Sequence, residues 1–467
     1  MLQSLRNIWD VPDLRKRVLF TLGLLAVYRL GNHVPTPGIN AQALIDFFDQ
    51  NRGNWFGLVD MFSGGNLARV TIFALGIMPY ISASIILQLL TVVWPYLEKL
   101  SKEGELGRRK ITQYTRYGTI LLSVIQSLGI AAYLERMTLS EKFRIVDSPG
   151  LGFKLMTVIT LTTGTAFIMW LGEQITERGI GNGMSLLIFA GIVVGFPSAL
   201  IDTAQRIGRS DLSLFAALVL VTMMVVVVGV IVFVERGQRR ITVQYAKRVV
   251  GRRMYGGQST HLPLRVNTSG VIPVIFASSI IAFPQTIASF FQANNPWMRA
   301  LSEQLTWGMP LYNLLYISFI IFFCYFYTAI VFNPDDVAEN MRKYGGFIPG
   351  IRPGKKTAEY LDHILGRITF GGAIYLAIIA ILPEFLYTGF KVAPIPVIGA
   401  PLDMFFTENG LSWITEGLGV NFYFGGTSLL IVVGVAMDTV AQVEAQLVMR
   451  HYEGFTGKGG RRIRGRR

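Results

Sequence analysis

The sequence predicts an all-α integral membrane protein with ten transmembrane helices. Of its 467 residues, 51% are hydrophobic and only 15% are charged, and the mean hydropathy is +0.45. Apolar runs of about 18 or more residues recur along the whole chain, and each is long enough to cross about 30 Å of hydrocarbon as a helix. Because backbone polar groups in lipid must bond internally, helices are the favoured structure for these runs.

Ten spans follow from the apolar runs and the charged breaks between them. They lie near residues 18–36, 72–93, 114–134, 153–173, 183–203, 212–234, 269–290, 311–332, 368–388 and 424–445. The run at 212–234 is continuously apolar, which excludes the alternating pattern of a transmembrane β-barrel. The basic N-terminus resembles a signal peptide, but no small-residue cleavage site follows it, so it is interpreted as a retained first helix.

The charge distribution predicts the orientation in the membrane. The net charge is +14, and the 43 Lys and Arg residues lie mainly between the apolar spans. With a cytoplasmic N-terminus, about 32 of these 43 fall on or beside cytoplasmic segments, as the positive-inside rule requires. Both termini are therefore predicted to be cytoplasmic. The basic residues are interpreted as determinants of membrane orientation rather than as a nucleic-acid-binding surface.

The span count predicts two five-helix halves. Residues 1–205 and 206–445 would form halves of opposite orientation around a central pore, followed by a basic cytoplasmic tail at 446–467. Such inverted pairs are typical of transporters and channels, so a small-solute transporter and a conduit for something larger both remain open. The single cysteine, Cys324, excludes a disulfide framework or a zinc cluster built on cysteine.

Six long strings carry a resemblance to a known family. They are MFSGGNLARVTIFALGIMPYISASIILQLL (61–90), LGEQITERGIGNGMS (171–185), VERGQRRITVQYAKR (234–248), QSTHLPLRVN (258–267), FNPDDVAENMRKYGGFIPGIRPG (332–354) and FGGTSLLIVVGVAMDTVAQ (424–442). Together they resemble the SecY family of protein-conducting channels in every helix neighbourhood from the second to the tenth. Segment 392–421 is longer than is usual for the family and is interpreted as an external loop or an interfacial helix.

The resemblance implies a pore constriction made of apolar side chains. By position in the matching motifs, this pore ring would consist of Ile77, Ile81, Met184, Ile188, Ile275 and Ile431. A hydrophobic constriction resists ion flow by dewetting. Without the resemblance, helix packing or lipid contact is the simpler interpretation. Met184 departs from the branched aliphatic residue common in the family, an exchange that keeps volume.

The polar, glycine-rich string FSGGNLA (62–68) precedes the second span. It predicts irregular backbone at membrane depth, which is tolerated only inside protein or beside a cavity. The resemblance implies that residues 58–71 form a plug that blocks the outer funnel of the resting channel. The plug residues are Phe62, Ser63, Gly64, Gly65, Asn66 and Leu67. An ordinary outer loop is the alternative.

The resemblance also implies a lateral exit to lipid, between the second and third spans on one side and the seventh and eighth on the other. Ser82, Ser84 and Gln88 are polar residues of the second span, and Asn267 precedes the seventh. Hydrogen bonds among these groups would latch the gate. A bond of Gln88 within its own bundle remains the alternative.

Two cytoplasmic connections, 235–268 and 333–367, are rich in basic residues. The family implies that SecA and the ribosome dock there, and the docking candidates are Arg239, Arg240, Arg252, Arg253 and Arg352. Attraction to a phosphate backbone would be salt-sensitive. The alternative is a positive-inside anchor on anionic lipid, which is the preferred interpretation of the tail, with ribosomal RNA contact as an addition.

No catalytic residues and no cofactor are predicted. The four histidines, His33, His261, His363 and His451, do not have metal-ligand spacing. The string GIRPGKK (350–356) is one residue short of a phosphate-binding loop and lacks the hydroxyl after its lysine. The energy for transport is therefore expected from a partner, which the resemblance implies is SecA with ATP or a translating ribosome.

Three other functions are alternatives to a conduit. A secondary transporter would place several ionisable groups near the membrane midplane, where Asp438 is the one clear carboxylate within a predicted span. An intramembrane protease would need a nucleophile and base inside the spans, and no such pair is evident. A non-conducting insertase or scaffold is not excluded on physical grounds.

The resemblance leads to a specific functional prediction. The chain would be the pore subunit of the Sec translocon in the bacterial cytoplasmic (inner) membrane, conducting unfolded secretory polypeptides and releasing transmembrane segments sideways. The implied partners are SecE, SecG, SecA, the ribosome, signal peptides, nascent chains, SecDF, YidC and anionic lipids.

Overall fold

The computed structural model describes residues 11–40, 43–44, 65–67, 69–140, 145–209, 214–245, 248–250, 253–255, 259–291, 296–306, 309–388, 404 and 426–455. Its helices are α1 (Pro12–Gly31), α2 (Met78–Val93), α3 (Pro95–Lys102), α4 (Glu105–Ser140), α5 (Leu151–Arg178), α6 (Gly183–Gly208), α7 (Leu214–Arg236), α8 (Ile272–Phe291), α9 (Pro296–Gln304), α10 (Pro310–Val331), α11 (Pro334–Lys343), α12 (Lys355–Thr388) and α13 (Gly426–Phe455). Its strands are β1 (Gln238–Tyr245), β2 (Arg248–Val250), β3 (Arg253–Tyr255), β4 (Ser259–Arg265) and β5 (Gly346–Phe347).

Each predicted span overlaps one long helix. The ten helices concerned are α1, α2, α4, α5, α6, α7, α8, α10, α12 and α13. Within the described residues, five helical segments are long and apolar enough to cross a membrane, or six if the bent pair α2 and α3 is one span. That pair bends by 99° at Trp94, which directly precedes Pro95.

Several helix ends differ from the predicted ones. Helix α2 begins at Met78 rather than at residue 72, because the preceding backbone turns irregularly through Gly76, which has a φ of +55°. Helices α4 and α12 begin about three turns before their predicted spans, at Glu105 and Lys355. Their charged first turns are helical because Glu, Lys and Arg favour helix as strongly as Leu does.

The helices pack in two groups that meet along two seams. Helices α1, α2, α4, α5 and α6 contact one another, as do α7, α8, α10, α12 and α13. Between the groups, α2 contacts α8 along one line and α6 contacts α13 along another; α6 also contacts α7, the next helix in the chain. We call the first line the α2–α8 seam and the second the α6–α13 seam.

Two connections between helices join in one small sheet. Strand β1 lies between β4 and β5, antiparallel to both, with Arg239 opposite Leu264 and Gln244 opposite Phe347. One face of the sheet is apolar and packs on the first turns of α12, through a buried cluster that includes Ile241 and Leu361. The sheet therefore fixes the 235–268 and 333–367 connections relative to each other and to the end of a long helix.

Candidate functional site

The six residues of the predicted pore ring lie on the four helices that form the seams. Ile81 is in α2, with Ile77 directly before its first residue, and Ile275 is on α8. Met184 and Ile188 are on α6, and Ile431 is on α13. All the helices that carry ring residues thus face the boundary between the two groups.

The same six side chains belong to one hydrophobic cluster. The five isoleucines are buried, with Ile431 fully inaccessible and Ile81 8% exposed, and Met184 packs against the cluster partly buried. The structure therefore places the six predicted residues in one extended cluster, which also includes buried residues of α5, α10 and α12. Burial alone agrees with either a closed constriction or ordinary helix packing, so the role of the ring stays a prediction.

Close packing of α5 and α6 positions Met184. A Cβ on Gly172 would lie 2.5 Å from Sδ of Met184, and a Cβ on Gly183 would overlap the carbonyl oxygen of Gly172. The start of α6 is held further by Asn182, whose side chain accepts from the amide of Met184 at 3.1 Å. Two glycines thus let the helices approach until the methionine side chain covers the backbone of α5.

Part of the predicted plug lies outside the described residues, including Phe62, Ser63 and Gly64. Gly65 has a φ of +81°, and Asn66 and Leu67 are buried. The amide of Thr71 donates to the carbonyl of Asn66 at 3.0 Å. The described half of this segment is therefore irregular backbone enclosed in protein, as the sequence predicted; whether it acts as a plug is untested.

The backbone near the end of the predicted plug segment is strained at Val70. Its φ of +38° is the one positive value at a non-glycine residue in the described part of the chain. A β-branched side chain disfavours this conformation, and such outliers persist only where the surroundings enforce them. Here the carbonyl of Val70 accepts from the amide of Thr36 at 3.0 Å, and its side chain is buried.

The predicted lateral-gate residues have separate partners. Gln88 donates to Ser84 at 3.3 Å within α2, and its Oε1 is buried without a donor among the described residues. Ser82 is half-buried on the same helix. Across the α2–α8 seam, the hydroxyl of Ser279 lies 4.0 Å from Sδ of Met78. The alternative of a Gln88 bond within its own helix is the arrangement observed.

Asn267 instead bonds to a residue that the sequence analysis did not select. Its amide Nδ2 donates to Oε1 of Glu235 at 2.6 Å, at the end of α7. In the sequence, Glu235 is only a carboxylate at a helix end before a basic run, which is a common surface pattern. The contact spans 32 residues and became evident only with the fold.

The predicted docking arginines are partly described. Arg239 and Arg240 are exposed on β1, and Arg352 is exposed in the turn after β5. Arg252 lies outside the described residues, and Arg253 is on β3, where side chains are not described. Because β1 pairs with β5, both basic connections contribute to one sheet. Among the described residues, no group of three His, Cys, Asp or Glu side chains could hold a metal ion.

Comparison with known proteins places the chain in a family. A family model named SecY matches residues 71–440. The protein translocase subunit SecY of Escherichia coli strain K12 is 51% identical over 456 residues, covering 97% of this chain and 96% of that protein. The chain belongs to the SecY family. The SecY subunit of Vibrio cholerae is 48% identical over 461 residues, covering 98% and 97% of the two chains.

Solved structures share the SecY fold at lower identity. A protein-conducting channel aligns with a TM-score of 0.60 at 16% identity, over 92% of each chain. A SecY structure described for its plug domain gives 0.58 at 17% identity, and Sec61 of the canine ribosome-channel complex gives 0.53 at 16% identity, each over 92% of both chains. The resemblance drawn from the motifs and the all-α membrane fold are thereby confirmed, and the chain is a translocase subunit of the SecY family rather than an enzyme.

Proposed function

We propose that this chain conducts unfolded polypeptides across the bacterial cytoplasmic membrane, through the pore ring, and releases transmembrane segments to lipid through the α2–α8 seam. The observation that carries the proposal is the position of the ring. Its six residues lie on only the four helices of the two seams, and all six join one hydrophobic cluster. This placement supports a path between the two groups that passes the six residues.

The chemistry of the ring suits a seal that opens. Aliphatic side chains offer no favourable site for ions or water, so the closed constriction resists leakage. Met184 adds a flexible thioether that can adapt to side chains of different size in a passing polypeptide. A signal sequence that binds at the α2–α8 seam would favour the open arrangement by the free energy of its apolar contacts.

The enclosed segment before α2 supports a plug at residues 58–71. In its described part, Asn66, Leu67, Val70 and Thr71 are buried and Arg69 is exposed; the segment lacks regular helix and is held through main-chain bonds to the residues after α1. Few backbone bonds need to break for such a segment to move, compared with a helix of equal length. We therefore assign it the resting block of the outer funnel, to be displaced when the two groups separate.

The sheet at the cytoplasmic connections supports a docking role. Arg239, Arg240 and Arg352 are exposed on or beside one sheet, so a partner meets a fixed array of positive charge. We propose that SecA or a translating ribosome binds there and supplies the energy, with both termini of the chain cytoplasmic. One neighbour by fold is the Sec61 of a ribosome-channel complex. SecE, SecG, SecDF, YidC and anionic lipids complete the proposed set of partners.

Disulfide trapping tests conduction through the ring. Single cysteines at Ile81, Ile188 and Ile275, in a Cys324→Ala background, would be challenged with a stalled secretory chain that carries one cysteine. We expect adducts at all three positions. Cysteine at Ile378, which is 59% exposed on α12, is the matched control and should give none.

The outcomes separate a conduit from a scaffold. Adducts at ring positions and none at Ile378 would support passage through the ring. With insertion and partner binding verified, an absence of adducts at all three ring positions would contradict the proposal and favour a non-conducting insertase or scaffold.

A further inference from the structure

A buried amide precedes α8 and links it to α7. Asn267 is 4% exposed. Its Nδ2 donates to Oε1 of Glu235 at 2.6 Å and to the carbonyl of Gly270 at 3.1 Å, and its Oδ1 accepts from the hydroxyl of Ser269 at 3.2 Å. Three of the four hydrogen bonds that an amide can make are thus used, so this side chain is held in one orientation.

The carboxylate that accepts the hydrogen bond from Asn267 lies at the end of a different helix. Glu235 is the second-last residue of α7 and is partly buried. The nearby Arg265 pairs with Asp438 of α13 at 3.4 Å, between two side chains that are more than half exposed. The contact from Asn267 to Glu235 is shorter and more buried, and hydrogen bonds to a charged group are the stronger kind.

The backbone around Asn267 is confined by further packing. The amide of Val266 donates to the carbonyl of Gly237 at 2.9 Å, just after α7. On the other side, a Cβ on Gly372 of α12 would lie 2.9 Å from the carbonyl oxygen of Val266. The turn before α8 therefore sits between α7 and α12, and the amide–carboxylate bond is its side-chain link to α7.

This turn sets the position of a seam helix. Helix α8 begins five residues after Asn267, carries the ring residue Ile275, and contacts α2 through Ser279 and Met78. A helix rises about 1.5 Å per residue, so a small change of direction at its base displaces its far end by several times more. The groups that fix the base thus determine how α8 lies against α2.

We propose that Glu235 is a positioning residue for the lateral opening: by holding Asn267 it keeps the base of α8 against α7, with the α2–α8 seam closed. Loss of the contact would lower the free-energy cost of separating α8 from α2, and weaker signal sequences would then suffice to open the channel. The inference rests on the proposed function and adds to it a determinant of signal-sequence stringency.

Four variants distinguish a positioning contact from a general structural one. Glu235→Leu removes the acceptor, whereas Glu235→Gln keeps an acceptor oxygen and the volume. Asn267→Asp keeps the shape but sets one carboxylate against another. The double variant Glu235→Gln with Asn267→Asp reverses donor and acceptor between the two side chains, but it also sets a carboxylate oxygen where the amide donated to the carbonyl of Gly270.

The readout is the rate of import into membrane vesicles for two precursors, one with an intact and one with a weakened signal sequence. We expect Glu235→Leu and Asn267→Asp to raise the weak-to-intact ratio by about tenfold, the effect of losing a hydrogen bond to a charged group. Glu235→Gln should stay near wild type because it keeps an acceptor for Asn267, and the double variant should fall between wild type and Asn267→Asp. Glu339→Gln, which breaks an exposed ion pair with Lys343, is the matched control and should change nothing.

Each contrary result has a defined meaning. An unchanged ratio in both disruptive variants, or equal ratios for Glu235→Leu and Glu235→Gln, would overturn the positioning role. If the disruptive variants fail to accumulate while the reversed pair does, the contact serves folding, and the proposal is likewise overturned. Failure of wild-type membranes to import the intact precursor would instead contradict the proposed function.

Discussion

The two seams between the helix groups differ in how they are held. At the end of the α6–α13 seam, the turn before α6 contacts α13: the amide of Gly181 donates to Oε1 of Gln442 at 3.1 Å, and Ile180 lies in a buried cluster with Val443 of α13 and Leu14 of α1. Helix α6 also leads directly along the chain into α7. At the α2–α8 seam, the one described polar contact is the 4.0 Å approach of Ser279 to Met78.

This difference suggests that one seam acts as a hinge and the other as a gate. Separating α2 from α8 breaks mainly apolar contacts, which lipid or an apolar signal sequence can replace at little cost. Separating α6 from α13 would break the exposed hydrogen bond of Gly181 to Gln442 and uncover the apolar cluster of Ile180, Val443 and Leu14, which costs free energy in proportion to the apolar area exposed. The molecule is therefore expected to open at the α2–α8 seam.

The largest expected effect comes from linking the seams. Cysteines at Met78 and Ser279, joined by a short bifunctional reagent in a Cys324→Ala background, should stop translocation because the gate seam cannot separate. The same reagent between cysteines at Ile180 and Val443 should leave translocation nearly unchanged. Equal inhibition by both links, measured as import into vesicles, would remove the distinction between hinge and gate.

A second prediction concerns the glycines that pack beside the hinge seam. Gly183→Ala places a methyl group into the carbonyl of Gly172, so the backbones of α5 and α6 must separate. We expect a loss of about 1–3 kcal/mol in the free energy of unfolding, the usual cost of overpacking. Gly434→Ala meets only the side chain of Val271, at 2.5 Å, and should cost less. Thermal unfolding in nanodiscs would measure both, and the reverse order would contradict the packing argument.

Two glutamine substitutions are expected to differ in effect. Gln442→Leu removes the acceptor for the amide of Gly181 and should lower the free energy of unfolding by about 1 kcal/mol. Gln88→Leu removes a buried oxygen without a described donor, but it also removes the donor to Ser84 within α2, so its two effects should largely cancel. Chemical or thermal unfolding measures both changes. Equal losses would contradict the expected difference.

The smallest effect is expected at the strained residue before α2. Val70→Gly loses a buried side chain but relieves a positive φ, so the two terms should largely cancel. Val146 is equally buried in the same cluster without that strain. Val146→Gly should therefore cost about 1–3 kcal/mol more than Val70→Gly, the usual range for backbone strain. Equal costs in unfolding experiments would remove Val70 as a strained site.

Much of the fold was accessible from the sequence because hydrophobic length dominates in lipid. All ten predicted spans overlap helices, and the ring residues were placed by motif on helices that meet. The predicted spans differ from the helices where charged residues precede an apolar run. Helices α4 and α12 begin at Glu105 and Lys355 because the charged residues of their first turns favour helix and these turns pack on neighbouring elements. The start of α2 was placed too early because apolar character does not reveal irregular backbone.

Contacts between distant connections were not accessible from one sequence. The pairing of β1 with β5 joins residues about a hundred positions apart, and β5, with two residues, is too short to show an alternating pattern. The partner of Asn267 was missed for a similar reason, since Glu235 is an unremarkable acid at a helix end until the fold places it 2.6 Å away. Side-chain partners depend on tertiary packing, which periodicity does not encode.

The most direct test of the hinge and gate is a pair of distance measurements. Spin labels at Ile86 and Ile280 report the α2–α8 seam, and labels at Val193 and Ala436 report the α6–α13 seam. With a stalled secretory chain in the channel, the first distance should increase while the second stays as in the resting protein. An increase of the second distance with the first unchanged would contradict the account.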